Sequence, residues 1–379
     1  MVAYSEAGQR ITRLIPLAGA LSMIETLVRP VEPREADIDA ALGRTLAADA
    51  APSAAQPAVT LALRDGWALK SDETIDAGSY APAPLSAVPS RIEIGEPLPP
   101  GADAVAPVET VVCRGKTAEA LAPVAPGEGV LPAGADAGAG MPLRRAGEHL
   151  RAIDRAVLSA AGVARVTIRE PRIRLVRARA DGGAAIAAGY AWLTDAIVAE
   201  GADVIVDDKG EPAADHLKAA LHHEGSDAVL VLGGTGCGAS DASVLALAKA
   251  GRVEFHGVGL LPGETAGFGF AGARPVLLLP GRFDAALAVW LVIGRRWLAK
   301  LAARTEEDMP VLAELTRKVT STLGMAEVVS VRRSGNTAEP LASGYLSFSA
   351  LARADGWILV PAGSEGYPAG TQVAVRPLA

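Results

Sequence analysis

Val229-Leu-Val-Leu-Gly-Gly-Thr-Gly-Cys-Gly-Ala-Ser-Asp241 is the stretch that decides how this chain folds. The apolar run Ala228 to Leu232 opens directly into Gly233, Gly234, Gly236 and Gly238, and a helical pattern follows from Ala242 to Ala250. A strand apolar at every position is buried on both faces, as in a parallel sheet covered by helices. In such sheets ligands bind beyond the carboxyl ends of the strands. Glycines there let backbone N–H groups approach an anion, and a helix N-terminus adds its positive end. Thr235 supplies a hydroxyl, and Asp241 is placed to cap the helix or, through water, to help hold Mg²⁺ beside a phosphate. The loop is not a Walker A motif, since no Lys follows the last glycine, and it lacks the GxGxxG of a dinucleotide fingerprint. An ordinary strand-to-helix turn with an Asp cap has the same glycine content, so the loop by itself leaves both readings open.

The flanking sequence alternates in the same style. Ile173 to Arg177, Asp203 to Val206 and Pro275 to Leu279 read as strands, while Trp192 to Glu200, Asp215 to His223 and Phe283 to Lys300 read as helices. Alternation over 171–305 predicts a doubly wound α/β domain with a largely parallel sheet. Short β-prone runs between Pro and Gly over 49–138, such as Arg91 to Ile94 and Ala104 to Ala106, predict an all-β insert. Before it, residues 12–48 read as two helices, one before Arg29 and one from Ala36 to Ala48. β runs return over 306–379 at Val328 to Val331, Trp357 to Val360 and Gln372 to Val375, giving a small terminal β-domain.

Composition fits a multidomain folded protein. The 379 residues exceed one ordinary core, half are hydrophobic, and aromatics are only 4%, so the cores rest on Ala, Val, Leu and Ile. A net charge of −7 with scattered Arg excludes the basic footprint of a nucleic-acid binder. Cys113 and Cys237 lie far apart without CxxC spacing, which argues against a zinc site or disulfide framework and suits a reducing cytoplasm. Leu14 to Ile24 after Arg10 and Arg13 mimics a secretory leader, but it continues at helical spacing through Arg29 and reads as an amphipathic helix. No apolar run reaches membrane-spanning length, so no membrane is expected as a partner.

Several segments in fixed order resemble the molybdopterin molybdenumtransferase family, the MoeA and gephyrin E-domain group. Gly-Gly-x-x-x-Gly-x-x-Asp at 233–241 resembles its pterin loop, and Arg64-Asp-Gly-Trp-Ala68 its DG(Y/F)A signature. Gly95-Glu-Pro-Leu-Pro-Pro-Gly-Ala-Asp-Ala-Val105, Arg144-Arg-Ala-Gly-Glu148, Leu260-Leu-Pro-Gly263, Leu279-Pro-Gly281 and Leu351-Ala-Arg-Ala-Asp-Gly356 follow in family order. The likeness runs from about residue 14 to 378. It implies four domains in an elongated subunit: a discontinuous, partly helical domain over 1–48 and 139–170, the β insert over 49–138, a doubly wound α/β molybdopterin-binding domain over 171–305 and a small β-barrel over 306–379. It implies too a homodimer with its cleft shared between subunits. It also implies a reaction of adenylylated molybdopterin, molybdate and Mg²⁺ or Zn²⁺ that gives molybdenum cofactor and AMP. Carried over residue by residue, Asp65, Asp208 and Asp241 become the catalytic acids, with Asp208 and Asp241 as metal ligands. Gly233, Gly234, Thr235, Gly236, Gly238, Ser240, Asp241, Pro262 and Gly263 become the pterin-binding set.

Other family positions are changed. His149 stands where an acid is usual, and Arg177-Ala-Arg-Ala-Asp-Gly-Gly183 replaces the family's Thr-Gly-Asp-Glu-Leu. Gly257-Val-Gly-Leu-Leu-Pro-Gly-Glu-Thr265 has no Lys and carries Glu264 where a cation is expected, while Met325 and Ser330 occupy Arg positions. Molybdate and pyrophosphate are anions that need cations or N–H donors, so these losses weaken oxyanion capture. Arg177, Arg179 and Arg282 are the candidates to compensate. The resemblance therefore leaves three expectations open: an active molybdenum insertase, a noncatalytic carrier of molybdopterin or finished cofactor serving a molybdoenzyme or another biosynthesis protein, and an interaction scaffold.

Overall fold

A computed structural model describes residues 9–178, 183–207, 213–305 and 309–378. Its centre is the strand Ala228–Leu232, buried at all five positions. That strand pairs in parallel with Arg172–Arg177 on one side and Arg274–Leu279 on the other, and Asp203–Asp207 extends the parallel half. Beyond Arg274–Leu279 the sheet turns antiparallel through Gly267–Ala271 and Gly251–His256. One face packs on the helices Leu17–Leu27 and Gly183–Ala199 and on the long helical segment 283–301, with Trp290 and Trp297 among its buried side chains. The other face packs on Ala213–His222 and Ser243–Ala250 through Leu217, Leu221, Val244 and Leu247. Each such large apolar side chain removed from water contributes about 1.5–3 kcal/mol, which is why strand and helices are specified together.

The sheet expected to be largely parallel is antiparallel in this half, whose strands carry glycines and were given no reading from the sequence. The glycines are there for close approach between strands. A Cβ on Gly269 would fall on the Arg252 carbonyl, and one on Gly251 on the Phe270 carbonyl. The strand Val258–Leu261 then leaves this sheet. It pairs in parallel with Ala326–Ser334 on one side and with Ile15–Pro16 on the other, tying the α/β domain to the C-terminal domain. That domain is a closed five-stranded barrel of Val311–Leu315, Ala326–Ser334, Thr337–Ala342, Gly356–Val360 and Gln372–Pro377.

The first helix forms as Leu17–Leu27, but it packs into the core of the α/β domain. The helix expected over Ala36 to Ala48 does not form. Arg34–Asp37 and Thr45–Leu46 are instead strands on either side of Arg165–Arg169. Gly43 at φ +75° breaks any helix between them, and its N–H donates to the Leu150 carbonyl at 2.9 Å. Ile38, Ala41 and Leu46 still reach a core with Leu150, Leu158 and Ile168, so tertiary pairing met the apolar pattern without a helix. Residues 61–131 fold as small β-sheets, as the insert pattern predicts. Among the described residues no helix is long and apolar enough to cross a membrane.

Replacing Gly269 with Ala forces the two antiparallel strands apart and is expected to cost about 3 kcal/mol. Urea unfolding of the variant checks it, and a loss under about 1 kcal/mol is the contrary outcome.

Candidate functional site

The sheet's geometry delivers the glycine loop to a cleft of about 580 Å³. Gly233, Gly234, Thr235, Gly236 and Asp241 form one wall, Glu264 and Thr265 a second, and Gly281, Arg282 and Ala285 a third. Gly233 and Gly234 sit at φ +93° and +68°, so the chain reverses within two residues of the strand end. The Ser243 hydroxyl donates to the Gly233 carbonyl at 2.7 Å, and the Thr235 and Thr265 hydroxyls meet at 2.8 Å.

The polarity of the loop differs from expectation. The helix N-terminus is already occupied: Ser243 N–H donates to the Gly234 carbonyl at 3.0 Å, and Val244 N–H to the Gln9 carboxamide oxygen at 3.1 Å. The Gln9 Nε2 donates to the carbonyls of Gly234 at 2.7 Å and Gly236 at 2.6 Å. His256 Nε2 lies 2.8 Å from the Thr235 carbonyl; since that oxygen only accepts, the nitrogen carries a proton. Three successive carbonyls are thus held by side chains. The amides of Gly234, Thr235, Gly236 and Cys237 have no acceptor among the described residues. The site offers a run of loop amides rather than a helix end.

The remaining proposed residues divide. Asp241 lines the cleft but does not cap the helix, whose N-cap is Ala242; its Oδ2 accepts the Gly238 N–H at 2.9 Å and closes the loop. Gly238 and Ser240 are exposed on the outer side of the loop and do not line the cleft. Pro262 and Gly263 are buried behind the wall, where Gly263 lies against Val289, and they set out Glu264 and Thr265. Asp65 lies in the β insert, exposed, accepting the Ile94 N–H at 2.8 Å, and is not part of the cleft wall. Asp208 falls outside the described residues, as do Arg179 and Asp181.

Arg282 does line the cleft, but its guanidinium is engaged. It grips Asp284, itself buried, through contacts of 2.7 and 3.1 Å, and that pairing holds it more firmly protonated. It also lies over the Tyr345 ring at 5.5 Å. Arg177 is engaged with the Tyr190 ring at 5.2 Å. Both keep their charge, but Arg282 has its Nε and Nη2 committed to Asp284, and Arg177 does not line the cleft. Glu264 adds a carboxylate to the same wall, its Oε2 accepting the Gly263 N–H at 3.1 Å.

Sequence reasoning missed Gln9, His256 and the aromatic rim. Trp192, Phe283 and Phe348 pack in series, tilted and edge-on, with centroids 5.9 and 5.8 Å apart, bringing the short helix Phe348–Leu351 of the C-terminal domain against Phe283, next to Arg282. No local motif announces these residues, because each acts on a partner distant in sequence.

Comparison with known proteins places this arrangement. Residues 15–162 match the family described as MoeA N-terminal region (domain I and II), 187–300 a molybdopterin binding domain family, and 313–378 the MoeA C-terminal region (domain IV). Molybdopterin molybdenumtransferase 1 of Mycobacterium tuberculosis is 30% identical over 349 residues, 83% of this chain and 80% of that protein. The chain belongs to the MoeA family. Molybdopterin molybdenumtransferase 2 of the same organism is 24% identical over 395 residues, 93% of this chain and 97% of that one. The crystal structure of a molybdopterin biosynthesis moeA protein from Pyrococcus horikoshii OT3 matches the fold with a TM-score of 0.79 at 22% identity, covering 96% of this chain and 99% of its own. As a MoeA-type protein, the chain is a protein of molybdenum cofactor biosynthesis, and molybdopterin is the pterin concerned.

Burial lowers the His256 pKa below 6.5, only partly countered by its bond to Thr235. Because the folded value is below the unfolded one, neutral His256 stabilises the fold fully above pH 6.5, and this contribution is lost as pH falls from there through the folded value. Urea unfolding free energy should therefore fall between about pH 7.5 and about pH 5.5, and His256→Gln should fall less over that range. Equal slopes for the two proteins would contradict the assignment.

Proposed function

We propose that this MoeA-type protein binds molybdopterin, free or adenylylated, through its phosphate at the amides of Gly234 to Cys237, and that it inserts molybdate poorly. The observation that carries this reading is the pairing of open loop amides with a cleft in which, among the described residues, the one lining Arg is engaged by a buried carboxylate. Backbone amides serve a phosphate without any Lys. Molybdate, a small dianion brought from dilute solution, depends on free cations, and each charge-assisted hydrogen bond lost costs about 1.5–3 kcal/mol. Of the changed positions only Glu264 lines the cleft, so a carboxylate stands where oxyanion capture calls for a cation, while the loop amides are untouched; Gly257 is buried and Leu261 lies off the wall.

Magnesium fits this site only as a passenger on substrate phosphates. No group of three or more His, Cys, Asp or Glu suited to a metal occurs among the described residues, and Asp241 offers a carboxylate with one oxygen already on Gly238. A cation bridging substrate phosphates with one protein carboxylate is a usual Mg²⁺ arrangement, and its chemistry there is charge neutralisation. The protein's role on this reading is to hold and pass on the pterin to a molybdoenzyme or another biosynthesis protein in the cytoplasm. We also propose a homodimer. Val311 and Leu312 on an outer barrel strand, with Met309 just before it, are exposed apolar side chains suited to burial against a second copy.

Two measurements test this. Calorimetry under anaerobic conditions is expected to show molybdopterin binding, which Gly236→Val weakens, since the added side chain stands among the loop amides and displaces the Asp241 carboxylate 2.7 Å from its Cβ. In an assay with adenylylated molybdopterin, Mg²⁺ and micromolar molybdate, AMP release is expected to fall at least about a hundredfold below that of a Lys-bearing family member. Comparable turnover sinks the binder reading in favour of insertion; absence of pterin binding sinks both. Light scattering at twice the 38.6 kDa chain mass is expected for the dimer.

A further inference from the structure

We infer that Gln9 is a positioning residue for the loop, one that makes the site select phosphate-bearing ligands; this rests on the pterin-binding reading above. Gln9 is only 2% exposed, and an uncharged amide is buried without penalty only when hydrogen-bonded. Its three bonds all go to the loop and the helix that follows: two from Nε2 to the Gly234 and Gly236 carbonyls, one accepted by Oε1 from Val244 N–H. Both Nε2 protons are used, and each bond spans more than 220 residues of sequence.

The consequence follows from peptide geometry. In a planar trans peptide the C=O of one residue and the N–H of the next point in opposite directions. Fixing the Gly234 and Gly236 carbonyls toward buried Gln9 therefore turns the N–H groups of Thr235 and Cys237 the other way, away from the core. His256 does the same for the peptide between Thr235 and Gly236. Three successive amides are thereby aimed on the side away from the two anchors, where Thr235 and Gly236 line the open cleft.

Glycine makes this anchoring necessary. Peptides flanked by Gly234 and Gly236 rotate at low steric cost. A rotated peptide presents a carbonyl oxygen to the ligand where an N–H stood, converting attraction for a phosphate oxygen into repulsion. Among the described residues Gln9 alone holds the Gly236 carbonyl, and it reinforces the Gly234 carbonyl that Ser243 N–H also engages, without bringing a charge of its own. Its effect is therefore confined to ligand groups that accept hydrogen bonds from the loop, such as a phosphate monoester or diphosphate.

The test compares molybdopterin with its dephosphorylated form on wild type and Gln9→Met, which keeps length and bulk and removes all three hydrogen bonds. Wild type is expected to prefer the phosphorylated pterin. The variant should lose at least about tenfold in molybdopterin affinity with dephospho-pterin affinity unchanged, erasing the preference. A variant that keeps the preference overturns the role of Gln9 and leaves the pterin reading intact. Wild type binding neither form overturns that reading and this one with it. Should Gln9→Met fail to fold, amide resonances of wild type decide. Thr235, Gly236 and Cys237 are expected to shift with molybdopterin and not with the dephospho form, and unmoved resonances overturn the proposal.

Discussion

Everything in this molecule hangs on one buried strand. Ala228–Leu232 has apolar side chains on both faces and parallel neighbours on both edges, so it has no face that water or an alternative register could satisfy. Shifting it by one residue would carry Asp227 into the core or, in the other direction, bring Gly233 into the ladder. Its carboxyl end is therefore fixed in space, and the chain must reverse there because helices cover both faces. Two glycines with positive φ make the reversal possible at no Cβ cost. The cleft is a consequence of the core, not an addition to it.

The strand Val258–Leu261 extends that constraint to the rest of the chain. Its pairing with both Ile15–Pro16 and Ala326–Ser334 makes the N-terminal segment, the Glu264–Thr265 wall and the barrel one mechanical unit. Arg282 completes the linkage. By gripping Asp284, whose carboxylate also accepts Leu346 N–H at 3.3 Å, it ties the cleft edge to the barrel loop. A guanidinium used as a structural rivet next to a buried carboxylate is a poor oxyanion ligand, since freeing it would strand Asp284 as an unpaired buried charge.

What the sequence made legible follows from the range of each interaction. The central strand, the glycine turn and the covering helices are written locally, as apolar runs and turn residues, and they were readable. Ala36 to Ala48 misled because its apolar stripe suits a helix and a strand-turn-strand equally; the partner that decided, Arg165–Arg169, lies more than a hundred residues away. The strands around Gly251 and Gly269 were hidden for the opposite reason: glycines that permit tight pairing look like loop when the partner is unseen. Gln9 had no signal at all. Its meaning comes wholly from three backbone groups of a loop it meets only in the fold. Of the acids inferred from the family, Asp241 lies on this cleft, Asp65 lies in the β insert away from it, and Asp208 is outside the described residues.

On the proposed function, the division between amides and cations lets the site keep phosphate recognition while oxyanion capture weakens. Amide donors are part of the backbone: short of proline, no substitution deletes them while the loop keeps its shape, and that shape is set by buried contacts with Gln9, His256 and Ser243. Cationic donors are side chains, removable one at a time. Glu264 stands on the cleft wall where the proposal calls for a cation, and its carboxylate accepts the Gly263 N–H. The chemistry this reading assigns to the cleft is recognition of the pterin phosphate.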